Sequence, residues 1–175
     1  PEKTEITLGQ TNAFQNFNYY ATQDTYSTSN TAGTIGSKVG AFSFFIAANR
    51  EESFSQPLGF VTNPTQVNGT SGSIFALNKS GVQADVVGAS GLLHTTMNNY
   101  KVKWALDLND WLKFSHTLGY WQNTAYSTVQ SYLVTPTGIP TFGGVSGFAS
   151  GNYNLGEQHL ANAVSLKSDT KGVWD

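Results

Sequence analysis

Only 11% of the 175 residues are charged, against about 25% in an ordinary soluble domain, and nine Lys plus Arg against eleven Asp plus Glu leave a formal net charge of -2. Ser, Thr, Asn and Gln fill 61 positions, so the solvating groups are uncharged, while 39% apolar and 13% aromatic residues are too many for a disordered chain. A pI near 5.9 leaves no basic field to attract a phosphate backbone, so nucleic acid is excluded as a partner, and the absence of cysteine excludes a disulfide scaffold, thiolate metal sites and cysteine nucleophiles.

Taken in chain order, the segments read as strands. Ile6 and Leu8 alternate with Glu5 and Thr7, and Tyr26 to Gly36 is a polar strand candidate. From Gly40 to Arg50 the period is two: Phe42, Phe44, Ile46 and Ala48 share one face, with Phe45 as the exception on the other. The clearest stretch runs from Asn99 to Asn123, a hairpin in which Tyr100, Val102, Trp104, Leu106 and Leu108 face one way and Asn99, Lys101, Lys103, Ala105 and Asp107 the other. A turn at Leu108 to Trp111 leads into Leu112, Phe114, Leu118 and Tyr120 alternating with Lys113, Ser115, Thr117 and Gly119. His116 falls in phase with the apolar face. Leu160, Val164 and Leu166 alternate with Ala161, Ser165 and Lys167 in a last strand.

Six strands follow, joined by short connections at Gly36 to Gly40, Leu108 to Trp111 and Asp169 to Gly172, and by long ones at Gln15 to Thr25, Pro57 to Leu93 and Thr124 to Gly156. Structureless loops beyond about 15 residues are uncommon in compact soluble domains, whereas outer-membrane barrels pair short periplasmic turns with long extracellular loops. No stretch approaches the roughly 18 uninterrupted apolar residues of a transmembrane helix, and a mean hydropathy of -0.25 suits a barrel whose alternate residues face a polar lumen. Tyr100, Trp111, Tyr120, Trp121 and Trp174 near strand ends suit an interfacial girdle. The expected faces are then Phe42, Phe44, Ile46, Trp104, Leu106, Phe114 and Leu118 on a convex, lipid-facing side, and Lys101, Lys103, Asp107, Lys113, Ser115 and Thr117 on a concave, lumen-facing side. If Leu106 faces Leu112, Lys103 faces Ser115, Ala105 faces Lys113, and Asp107 lies diagonal to Lys113.

Chemistry motifs are missing. His94, His116 and His159 lack paired-ligand spacing, Asp107 and Asp110 flank a turn, and Gly143 to Gly147 lacks the lysine of a phosphate loop, so no catalytic residue, metal site or cofactor is assigned and no enzyme is expected.

Pro1 to Glu5, Val39 to Phe45, Ser55 to Leu58, Thr117 to Asn123 and His159-Leu160 through Asp175 resemble, in order and spacing, the barrel of TonB-dependent outer-membrane receptors. The resemblance implies an all-β antiparallel meander, residues 1–175 forming the first strands of a 22-stranded transmembrane barrel just after the plug domain. It further implies a parent in the outer membrane of a Gram-negative bacterium that binds and imports a scarce nutrient, such as a ferric siderophore or cobalamin-like compound. Its partners would be membrane lipid, the plug and remaining barrel, and TonB through the N-terminal part. Phe60, Phe75, Tyr132, Phe142, Phe148 and Tyr153, set among Gly, Ser, Thr and Asn in the long loops, supply rings and neutral hydrogen-bonding neighbours for such a ligand. Two other classes remain open at this point: a soluble extracellular β-sandwich of the carbohydrate-binding or fibre type, whose apolar faces would pack against each other, and a passive porin without a plug.

Overall fold

A computed structural model of the chain describes residues 3–145, 148, 149, 153 and 158–172. Among these, the regular structure is a single antiparallel sheet with no helix. Six long strands follow one another across it: β1 (Glu5–Tyr19), β2 (Thr22–Val39), β3 (Phe42–Phe54), β6 (Gln83–Asn109), β7 (Leu112–Ser131) and β8 (Gln158–Gly172). Two short strands, β4 (Gly59–Asn63) and β5 (Ile74–Leu77), pair with the upper part of β6, which overshoots β3. The sheet therefore has eight strands rather than six, because the Pro57 to Leu93 connection is itself built largely of strand. No pairing joins β1 to β8 among the described residues, and the sheet is open.

Two tight turns lie at one end, here the lower. At Gly40-Ala41 the chain reverses with Gly40 at φ 58°, the left-handed conformation glycine adopts without steric cost. At Asp110-Trp111, Asn109 accepts a hydrogen bond from the Trp111 amide at 3.1 Å, an Asx turn. The upper end holds three connections, and all depart from expectation: besides Pro57 to Leu93, the start of the expected Thr124 to Gly156 loop is strand as far as Ser131, and the first connection differs most. Gln15 to Thr25 is no long loop: β1 and β2 pair up to Tyr19 and Thr22, and the chain turns in two residues with Tyr20 at φ 53°. A bulky residue at positive φ is strained and is held there by its surroundings, here the ring of Phe60 at 4.9 Å. Asp169 to Gly172 is likewise strand, paired with Leu112 to Ser115, not a turn.

In-register antiparallel partners share a face, so the ladders convert the alternation of each strand into rows across the sheet. One row is Ile6, Ile35, Ile46, Val102, Leu118 and Leu166, apolar on all six strands. Below it lie Ser37, Phe44, Trp104, His116 and Ser168, then Val39, Phe42, Leu106, Phe114 and Thr170, apolar on the central strands and polar toward the edges; above it lie Leu8, Gly33, Ala48, Tyr100, Tyr120 and Val164. Among the described residues nothing covers this face: Ile6, Leu8, Val39, Val164 and Leu166 are each at least 70% exposed, and Ile46, Val102 and Leu118 at the centre of the row about 40%. The next row up is Gln10, Thr31, Arg50, Asn98, Gln122 and Asn162, wholly polar. On the central strands four mainly apolar rows spaced two residues apart make a band about 20 Å from first to last, and about 25 Å with the side chains' own width.

The apolar faces of β3 and β6 lie side by side in one sheet rather than opposed across a core, which departs from the arrangement a sandwich requires. His116, out of place by polarity, stacks on Trp104 with centroids 4.5 Å apart and turns its Nε2 toward Ser168 Oγ at 3.5 Å. Of the girdle candidates, Tyr100 and Tyr120 stack at 6.2 Å along the band's upper margin and Trp111 sits at the lower turn. Trp121 pairs with Asn99 on the opposite, polar face, and Trp174 lies outside the described residues.

Candidate functional site

The other face carries the polar residues. In the four rows nearest the lower turns stand Lys38, Lys101, Lys103, Lys113, Lys167 and Lys171, six of the chain's eight lysines, with Glu5, Asp107 and Asp169. The expectation that Lys101, Lys103, Asp107 and Lys113 share one face therefore matches their placement. Their register does not: Ala105 faces Ser115, Lys103 faces Thr117, and Asp107 stands directly opposite Lys113 rather than diagonal to it. The turn makes the difference, since the chain reverses at Asp110-Trp111, with Asn109 opposite Leu112, rather than about Asn109, and the bulge between Asp107 and Asn109 takes back only one residue of that shift. Asp107 Oδ1 meets Lys113 Nζ at 2.9 Å and its Oδ2 meets Lys38 Nζ at 3.4 Å, so one carboxylate ties β2, β6 and β7 together.

This face is concave. A hollow of about 780 Å³ opens over it, floored by small residues in successive rows, Thr34, Ala47, Gly119 and Ser165, then Ala32, Asn49, Asn99 and Ala163. Small side chains on neighbouring strands leave the space, and Asn49 donates to Asn30 at 2.8 Å across the wall. A second hollow of about 400 Å³ lies below it, between Ser43, Lys103, Ala105, Lys113, Ser115, Asp169 and Lys171.

Above the sheet the long connections fold onto its upper part and form the buried core. Val67, Val87, Leu133, Phe148 and Tyr153 make one cluster, and Val86, Ala89 and Tyr132 another, flanked by Tyr20, Phe60, Ile74 and Leu92. Of the six loop aromatics proposed for ligand contact, Tyr132, Phe148 and Tyr153 are buried in this core and Phe60 packs against it, so these four rings hold the loops together and present no free stacking face. Phe75 and Phe142 are exposed, Phe142 edge-on to Tyr153 at 5.4 Å. Composition marked all six alike; only the fold separates packing rings from presented ones.

The tip of the β1–β2 hairpin is bonded into that core. Thr22, itself buried, donates to Gln130 Oε1 at 2.8 Å, so the 2.6 Å contact to Tyr132 is a bond donated by the phenol to Thr22. Tyr153 donates to the Val87 carbonyl. Tyr132→Phe leaves Thr22 one partner short in a buried site, and about 1–2 kcal/mol of stability is expected to be lost, measurable by denaturant unfolding. Burial holds both phenols above the ordinary tyrosine value. A folded state that prefers the neutral phenol keeps its stability below the unfolded pKa of about 10 and loses it as pH rises beyond, so tyrosinate absorbance and loosening of the loops are expected to appear together in that alkaline range.

Among the described residues no three His, Asp or Glu side chains come together as a metal site, and His94 is engaged instead by Glu52 Oε1 at 2.9 Å and stacked on Phe54. No protein-family model, curated protein or solved structure matches the chain.

Proposed function

We propose that the chain is part of a transmembrane β-barrel of the outer membrane, and that its parent binds and imports a small nutrient in the manner of a TonB-dependent receptor. The uncovered apolar band carries this reading. Its upper two rows cross all six strands without a polar side chain and its lower two are apolar on the central strands; it ends above in a wholly polar row, is backed by a polar concave face, and has about the height of a bilayer's hydrocarbon region. A water-soluble sheet has no reason to leave so wide an apolar surface bare. The concave face becomes a stretch of lumen wall, lined by Lys101, Lys103, Asp107 and Lys113; the edges β1 and β8 are completed by further strands, and a plug, siderophore-like cargo and TonB belong to the parent. Phe75 and Phe142 are the loop rings left free for a ligand, and the role is one of binding and passage rather than catalysis.

These 175 residues hold no cysteine, so once any cysteine elsewhere in the full-length protein is replaced, an introduced thiol is the only one to report. Leu118→Cys and Thr117→Cys, adjacent residues on opposite faces, are introduced singly into the full-length protein and labelled in membranes. The thiol of Thr117→Cys is expected to react with a hydrophilic maleimide, and a fluorophore attached in Leu118→Cys to be quenched by brominated lipid. Equal reaction with the hydrophilic reagent at both positions, without lipid quenching at 118, overturns the membrane reading.

A further inference from the structure

The lower concave hollow combines features that a passive polar wall does not need. In the four rows around it lysines outnumber carboxylates six to three, a local surplus of positive charge in a chain whose net charge is -2. Lys113 and Lys171 are in-register neighbours on adjacent strands, an arrangement of like charges that destabilises a sheet unless something negative lies between them. Lys103 stands two rows higher on β6, close enough for all three to line the same hollow of about 400 Å³. Its floor is Ala105, with the hydroxyls of Ser43 and Ser115 on either side in the same row, so donors converge on a space left open by small side chains. Asp169 also lines it, 3.1 Å from Lys167. The ammonium groups of Lys103 and Lys171 have no ion-pair partner among the described residues, while that of Lys113 is shared with Asp107.

We infer that this hollow is a binding site for a multivalent oxyanion, a soluble phosphate or polycarboxylate held by Lys103, Lys113 and Lys171 with Ser43 and Ser115 as neutral donors. Rings of lysine select anions in pores by this chemistry, and charge-assisted bonds to a phosphate or carboxylate relieve the opposed lysines. The inference rests on the lumen-wall reading for its meaning, since there it makes the passing solute an anionic one, but not for its geometry.

The test is calorimetric titration of the full-length protein in a neutral detergent with pyrophosphate and with citrate. Both are expected to bind, with affinity falling steeply as salt rises. Lys103→Gln with Lys171→Gln is expected to weaken binding at least about tenfold, Lys79→Gln in the distant loop to leave it unchanged, and Asp107→Ala to strengthen it by releasing Lys113 and Lys38. Absence of binding at low salt, or a double variant that binds like the wild type, overturns the inference; so does capture of an acidic polypeptide without binding of either small anion, which would make the patch a protein-docking surface. Failure here leaves the lipid-quenching result standing, and anion binding by a protein whose position 118 never meets lipid would overturn the membrane reading alone.

Discussion

Leu118→Arg, at the centre of the six-strand apolar row, is expected to destabilise the protein in lipid vesicles by about 2–4 kcal/mol, whereas Ser115→Arg on the other face should change stability little. Leu118 is flanked in register by Val102 and Leu166, and no carboxylate shares its row, so a guanidinium placed there has neither water nor a partner. On the concave face an arginine at 115 reaches solvent between Ala105 and Asp169, where the carboxylate offsets its charge. The measurement is reversible denaturant unfolding of each variant in vesicles, compared with wild type. Equal effects at the two positions would mean that the two faces meet the same medium.

Gly88→Ala is expected to release the loop core, with a loss of about 3 kcal/mol or more. A Cβ at Gly88 would stand 2.4 Å from the Gln130 carbonyl oxygen and 2.4 Å from the Tyr153 ring. The carbonyl belongs to the β6–β7 ladder and cannot withdraw, so Tyr153 has to leave, taking with it the bond to Val87 and the packing of Phe148. Limited proteolysis of residues 132–157 reports the change, and the expected pattern is rapid cutting there with strands β1 to β3 resistant. Survival of the loop at wild-type rates would show that Tyr153 does not depend on the space Gly88 leaves.

How legible these features were in the sequence depends on what each residue's two faces meet. Phe42 to Ala48, Tyr100 to Leu106 and Phe114 to Tyr120 could be read residue by residue because one side of each is apolar and the other polar. Above the band that contrast disappears. Gln15 to Thr25 lacks alternation because Phe17, Tyr19 and Tyr20 stand among Asn, Gln, Asp and Thr and its tip is held by the buried Thr22 rather than by an apolar face, and its turn uses Tyr20 and Ala21 in place of the Gly, Asn or Asp that announce tight hairpins, so paired strands looked like a loop. Val86 and Val87 err the other way: adjacent and both buried, they lie where loops cover both sides of β6, and period two vanishes because there is apolar packing on each face. In the concave face, the lysines on β6 and β7 followed from alternation, but Lys38, Lys167 and Lys171 joined them only through the ladders of β2 and β8. The identity of the presented rings was beyond reach, since Tyr153 and Phe142 differ in burial and not in their neighbours' chemistry.

The length of β6 has a consequence for what can reach the protein. Its 27 residues extend well past the apolar rows, and from Tyr100 at their upper margin to Val87 in the loop core is a path of about 40 Å along the strand. The strands above the band thus work as a rigid tower that carries the loop core, with Phe75 and Phe142 exposed, clear of the layer around the band. Crowding by neighbouring molecules in that layer would do little to shield such a summit. If the band lies in a membrane as proposed, epitopes at the crown should stay accessible on intact cells where those beside the polar row of Arg50 are screened.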